Sequence, residues 1–118
     1  RATLDAMALQ NADILRAMQK DLGKKMKPLR VDGGASANDL LMQIQADVLG
    51  QRIIRPAVTE TTVAGACYLA GLAVGIWNST ADVKKIWRSE REFRVRMKAT
   101  QRSGRLRSWE AALQRALL

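Results

Sequence analysis

Leu29-Arg30-Val31-Asp32-Gly33-Gly34-Ala35-Ser36-Ala37-Asn38 is the stretch on which the reading of this chain turns. A short apolar run behind Pro28 reads as a strand over 29–32. Two glycines then read as a tight turn, and an amphipathic helix follows from about Ala37 to Leu49. The N–H groups that open a helix have no intrahelical partner and carry the positive end of its dipole. Without a Cβ, the backbone at Gly33 and Gly34 can approach a bound group closely. Ser36 is the expected N-cap, with Asp39 in the reciprocal position three residues on. Asn38 falls near the mouth of the turn, where its amide can either bond a ligand or cap its own helix. The plainer alternative is a strand-to-helix turn that uses glycine for its dihedrals alone. The stretch is neither Gly-x-Gly-x-x-Gly nor a P-loop.

Upstream, residues 2–22 place Leu4, Met7, Ile14, Leu15, Met18 and Leu22 on one stripe, a helix that Gly23 stops. That stripe reads as core. Lys24, Lys25 and Lys27 form a basic connector. Downstream, Ala37, Leu41, Ile44 and Val48 are the expected buried face of the second helix, which Gly50 ends. Arg52-Ile53-Ile54-Arg55 reads as a second short strand stopped by Pro56. A third helix, from Thr62 to about Gly75, is apolar almost all round and holds Gly65 and Gly71, which suits close packing against a sheet or backbone. Cys67 lies inside it and is expected to be buried. Trp77 to Thr80 is a turn, with Thr80 as cap of a short helix carrying Val83, Ile86 and Trp87. From Arg88 to Arg107, eight Arg or Lys stand against Glu90 and Glu92 alone, which reads as a solvated connector. A last helix carries Trp109, Ala112, Leu113, Ala116 and Leu117. The order is α-β-α-β-α plus C-terminal helices, an α/β class. No hairpin signal joins the two strands, so they are expected to run parallel through a helical crossover. Such a sheet is too small for three helices, and further strands are expected from outside this chain.

The 118 residues suffice for one domain, and a hydrophobic content of 47% argues against disorder. The chain has no histidine and Cys67 is its one thiol, which excludes histidine acid–base catalysis, a His/Cys zinc site and an internal disulfide. A lone thiol suits a reducing cytosol. The longest apolar run, Val63 to Trp77, is short for a membrane span. The net charge of +9 admits an interaction module in which the 88–107 stretch meets nucleic acid or an anionic surface, with Trp87, Phe93 and Trp109 stacking. Since the chain opens on Arg with a pattern already helical, it reads as cut from something longer.

Many of these segments, in this order, resemble the glycerol kinase family. They are Arg1-Ala2-Thr3-Leu4, the run from Val31 to Asn38, Leu41-Met42-Gln43 with Gln45-Ala46-Asp47, Arg55-Pro56, Glu60 to Ala66, Ala70 to Trp77, Arg91-Glu92-Phe93 and the Trp109 helix. The resemblance covers nearly the whole chain. It departs at Val95, where the family often has proline, and at Arg94, Arg96, Lys98, Arg102 and Arg105, where acidic residues are usual. The resemblance implies an actin-like ATPase fold of two ribonuclease-H-like domains with ATP in the cleft between them. This chain would be the last part of the second domain (residues 1–77), lacking that domain's first three strands, followed by a C-terminal helical extension (78–118). It implies nucleotide-binding roles for Gly34 and Asn38, with Gly33 supporting the turn. The parent would be an ATP-dependent, cytoplasmic phosphotransferase acting on glycerol and forming homo-oligomers. Its Mg²⁺ contacts, glycerol site and catalytic aspartate would lie outside this chain, leaving the fragment alone inactive. Xylulose or gluconate kinase of the same wider family is the near alternative.

Overall fold

A computed structural model describes residues 1–24 and 28–117. The basic connector, apart from Lys24, lies outside the described residues. In chain order the elements are α1 (Ala2–Leu22), β1 (Leu29–Arg30), a 3₁₀ turn (Gly34–Ala37), α2 (Asp39–Leu49), β2 (Ile53–Pro56), α3 (Thr61–Ala73), α4 (Thr80–Ile86), β3 (Ser89–Phe93) and α5 (Ala99–Ala116). Gly23 and Gly50 end α1 and α2, as their positions imply.

β1 and β2 are parallel, with Leu29 opposite Ile53 and Arg30 opposite Ile54. The α2 crossover between them is the one expected. The Val31 N–H prolongs the pairing by donating to the Ile54 carbonyl at 3.1 Å. A third strand was not expected. β3 lies antiparallel to β2, giving the sheet order β1-β2-β3, so the 78–118 segment is not purely helical and its basic start is not a free connector. Ser-Glu-Arg-Glu-Phe has a single apolar residue, and hydrophobic alternation has nothing to register there. Cross-strand charge helps to hold it instead: Arg52 donates to Glu92 at 2.8 Å and Arg55 to Glu90 at 2.6 Å.

The core lies on both sides of α2. Leu41, Met42 and Ala46 meet Ile53 and Phe93 of the sheet, while Ile44 and Val48 meet Ala8 and Ala12 of α1. Ala37, expected on this face, belongs to the 3₁₀ turn and is exposed. In α1 the buried residues are Ala8, Ala12 and Leu15, whereas Met7, Ile14, Met18 and Leu22 are exposed. The expected Met–Leu stripe is therefore mostly not core here. Alanines let two helix backbones approach closely, so α2 seats on the alanine ridge and leaves the longer side chains outside it.

Helix α3 departs furthest from expectation. Its one buried residue is Gly71, against which the Trp77 ring packs with no room for a Cβ. Trp77 also meets Tyr68 edge-on, with 5.5 Å between ring centroids. Cys67, expected buried, is exposed. Burial needs a surface opposite, and no described element covers this side of α3. The cap of α4 is Ser79 rather than Thr80, its hydroxyl accepting from the Asp82 N–H at 3.3 Å.

Candidate functional site

The corner between β1 and α2 is built from the backbone outward. Gly33 has φ +77° and ψ 168°, a conformation nearly restricted to glycine. Its N–H donates to the Thr59 carbonyl at 2.8 Å, tying the corner to the segment before α3. Its carbonyl accepts from both the Ser36 N–H (3.0 Å) and the Ser36 hydroxyl (2.7 Å). Ser36 is thus spent inside the turn, buried, and is not the helix cap. Asn38 is the cap: its Oδ1 accepts from the Leu41 N–H at 3.1 Å. Both residue types cap well, and the intervening 3₁₀ turn moves the helix start two residues on. Capping uses only the amide oxygen, so the Asn38 NH₂ keeps its donors on an exposed side chain.

Half-buried Gly33 and the exposed Gly34 and Asn38 therefore share one corner between β1 and α2. A Cβ built at Gly34 would meet no atom within 4 Å. The first N–H groups of the 3₁₀ turn precede any intrahelical acceptor. Asp32, beside the glycines, is hydrogen-bonded by the Thr61 hydroxyl. Among the described residues, no cluster of three His, Cys, Asp or Glu could hold a metal ion.

Sequence reasoning missed Arg55. Its side chain is 9% exposed; Nη1 donates to the Ser36 carbonyl at 2.8 Å and to Asp39 Oδ1 at 2.9 Å, and Nε to Glu90 Oε2 at 2.6 Å. The guanidinium carbon lies 5.3 Å from the centre of the Phe93 ring. The hydrogen bond to Glu90 holds the guanidinium more firmly protonated than a free one, despite the opposing effect of burial. That same bond from Arg55 depresses the Glu90 carboxyl below the usual glutamate range. Arg91 pairs with the other oxygen of Asp39. The available signal was an arginine in an otherwise apolar inner strand, since a charge there must find partners.

Three of the eight Arg and Lys of the 88–107 stretch pair with carboxylates within the molecule. Arg91 meets Asp39, Arg94 meets Glu92, and Arg105 meets Asp5. Phe93 is buried, and the Trp109 indole donates to Asp13 at 2.6 Å. Trp87, the third aromatic named for stacking, is exposed, with the Arg30 guanidinium 4.2 Å over its ring.

The model of the FGGY family of carbohydrate kinases, C-terminal domain, matches residues 1–74. The chain belongs to this family. It is similar to glycerol kinase of Deinococcus radiodurans, 56% identical over 116 residues, and to that of Bdellovibrio bacteriovorus, 54% identical over 115 residues. Each match covers 98% of this chain but only 23% of the relative, so the FGGY segment spans about a quarter of the length of the curated relatives it matches. Among solved structures, glycerol kinase of Plasmodium falciparum with ADP matches all of the chain and 24% of its own, with TM-score 0.88 and 34% identity. Xylulose kinase from Rhodospirillum rubrum matches 95% of the chain and 23% of its own, with TM-score 0.73 and 25% identity. The fold is thus the C-terminal region of an FGGY kinase, in the expected α/β actin-like ATPase class. No described helix is long and apolar enough to cross a membrane.

Proposed function

We propose that this chain forms the adenosine-side wall of the ATP cleft in a glycerol kinase, an enzyme that transfers the γ-phosphate of ATP to glycerol to give glycerol 3-phosphate. One observation carries the reading: the bare corner at Gly33 and Gly34, with the Asn38 amide beside it, lies in a chain over half identical to glycerol kinases along nearly its whole length. Glycerol is favoured over xylulose as substrate by the higher TM-score and identity of the glycerol kinase structure.

In this reading Gly34 lets the nucleoside lie against the backbone, Gly33 supplies the dihedral that opens the corner, and Asn38 donates to the nucleoside while capping α2. Residues 1–77 complete the second domain, and 78–118 form an extension whose β3 returns to the sheet. Phosphoryl transfer rests on in-line positioning and on neutralising charge with Mg²⁺. The Mg²⁺ ligands, the glycerol contacts and the catalytic base lie in the part of the kinase preceding this segment, so the chain alone turns nothing over. In the same reading the kinase works in the cytoplasm as a homo-oligomer.

The test uses a completed kinase, in which this segment replaces the corresponding part of the Deinococcus radiodurans enzyme. Gly34→Val puts a side chain where the nucleoside must lie. The KM for ATP should rise by about tenfold or more while that for glycerol stays within about twofold. Because the space around Gly34 is open, thermal stability should not change. Equal changes in both constants, or a completed kinase without activity, would overturn the reading.

A further inference from the structure

We propose that Arg55 is a positioning residue that sets the shape of the Gly33–Asn38 corner, and that Glu90 of β3 thereby belongs to the nucleotide site although it lies beyond the segment matched by the family model. This rests on the reading of the corner given above.

The geometry is that of a three-way brace. One nitrogen of the guanidinium serves two acceptors, the Ser36 carbonyl inside the turn and Asp39 in the first turn of α2. Nε serves Glu90 on the neighbouring strand. A guanidinium is planar and stays charged, so the directions of its donors are fixed once the plane is fixed. Two residues of β3 hold the plane: the Phe93 ring, 5.3 Å from the guanidinium carbon, and the Glu90 carboxylate bonded to Nε. The Ser36 carbonyl is therefore held at a set distance from β2. Ser36 in turn bonds the Gly33 carbonyl by backbone and hydroxyl. A shift of Arg55 passes through Ser36 to the residue whose dihedral opens the corner. Glu90 matters because a cation this buried is retained in place only while its charge is answered. Weakening Glu90 frees the guanidinium to seek water, and the corner loses its brace without losing any residue of its own.

The experiment measures both Michaelis constants and the melting temperature of the completed kinase. Arg55→Met should raise the KM for ATP by about tenfold and leave the KM for glycerol within about twofold. Arg55→Lys keeps a charge but not the fork, and should fall between Arg55→Met and the parent. Glu90→Gln is the milder variant, at an exposed position, and should raise the KM for ATP by about threefold with the glycerol constant unchanged. The proposal is overturned if Glu90→Gln and Arg55→Lys alter only the melting temperature, or shift both constants alike. Gly34→Val measured alongside separates the two levels. If it raises the KM for ATP and the Arg55 and Glu90 variants do not, Arg55 is structural and the corner still binds nucleotide. If Gly34→Val also fails, the reading of the corner falls and this inference falls with it.

Discussion

Helices α2 and α3 are both rich in apolar residues, yet the fold treats them oppositely. Leu41, Met42, Ile44, Gln45, Ala46 and Val48 of α2 are buried, while α3 buries Gly71 alone and leaves Val63 and Leu69 at 62% and 71% exposure. The difference lies in what stands opposite. α2 has α1 on one flank and the sheet on the other, so its apolar residues meet partners from two directions. α3 follows β2 and faces α4 across grooves lined by Tyr68, Val83, Ile86 and Trp87. Apolar composition makes a helix fit to be buried; topology decides whether it is.

The strongest way to break this contrast is a pair of truncations followed by urea unfolding. Ile53→Ala, at a fully buried position against α2, should cost about 2–5 kcal/mol. Val63→Ala on the open face of α3 should cost less than about 0.5 kcal/mol in the 118-residue chain. In the completed kinase, the cost of Val63→Ala should grow if the added domain packs on α3. Equal costs at the two positions in the chain would show that the contrast in burial is not one of energy.

A smaller effect sharpens the comparison at the helix starts. Asn38→Ala removes the α2 cap and should cost about 1 kcal/mol by the same measurement. Ser79→Ala, at the start of the seven-residue α4 with no buried residues, should cost less. The smallest effect is pH-dependent. The Glu90 carboxyl is depressed chiefly by its bond from Arg55, so its contribution is fully present above the usual glutamate range and lost as pH falls through its lower folded value. Stability curves of the parent and Glu90→Gln should converge on the acid side. Parallel curves would remove Glu90 from the brace.

How much could be read in advance follows the same division. The Gly33–Gly34 corner, the parallel β1–β2 pair and the span of α2 were legible because they depend on local signals: a short apolar run, paired glycines, a helical period. The cap was misplaced by two residues because Ser36 and Asn38 are both competent, and only the 3₁₀ turn between strand and helix chooses. β3 was illegible since Glu90 and Glu92 acquire their partners, Arg55 and Arg52, only when the strands are side by side. Cys67 and Met7, Ile14 and Met18 failed for a further reason: no surface among the described residues covers them. Arg55 shows the limit most clearly, as its identity was in plain view and its three acceptors were 16 to 35 residues away.

The attachment of α5 carries a last consequence. No residue of this helix is buried, and beside the packing of Leu106 its ties to α1 are the Trp109–Asp13 hydrogen bond and the Arg105–Asp5 pair at 3.4 Å. Exposed charge pairs weaken as dissolved ions shorten the reach of the field to about 8 Å at physiological ionic strength. The alanine-lined seam between α1 and α2 has no such dependence. Added salt therefore loosens the clasp between α5 and α1 first, while the apolar seam between α1 and α2 holds.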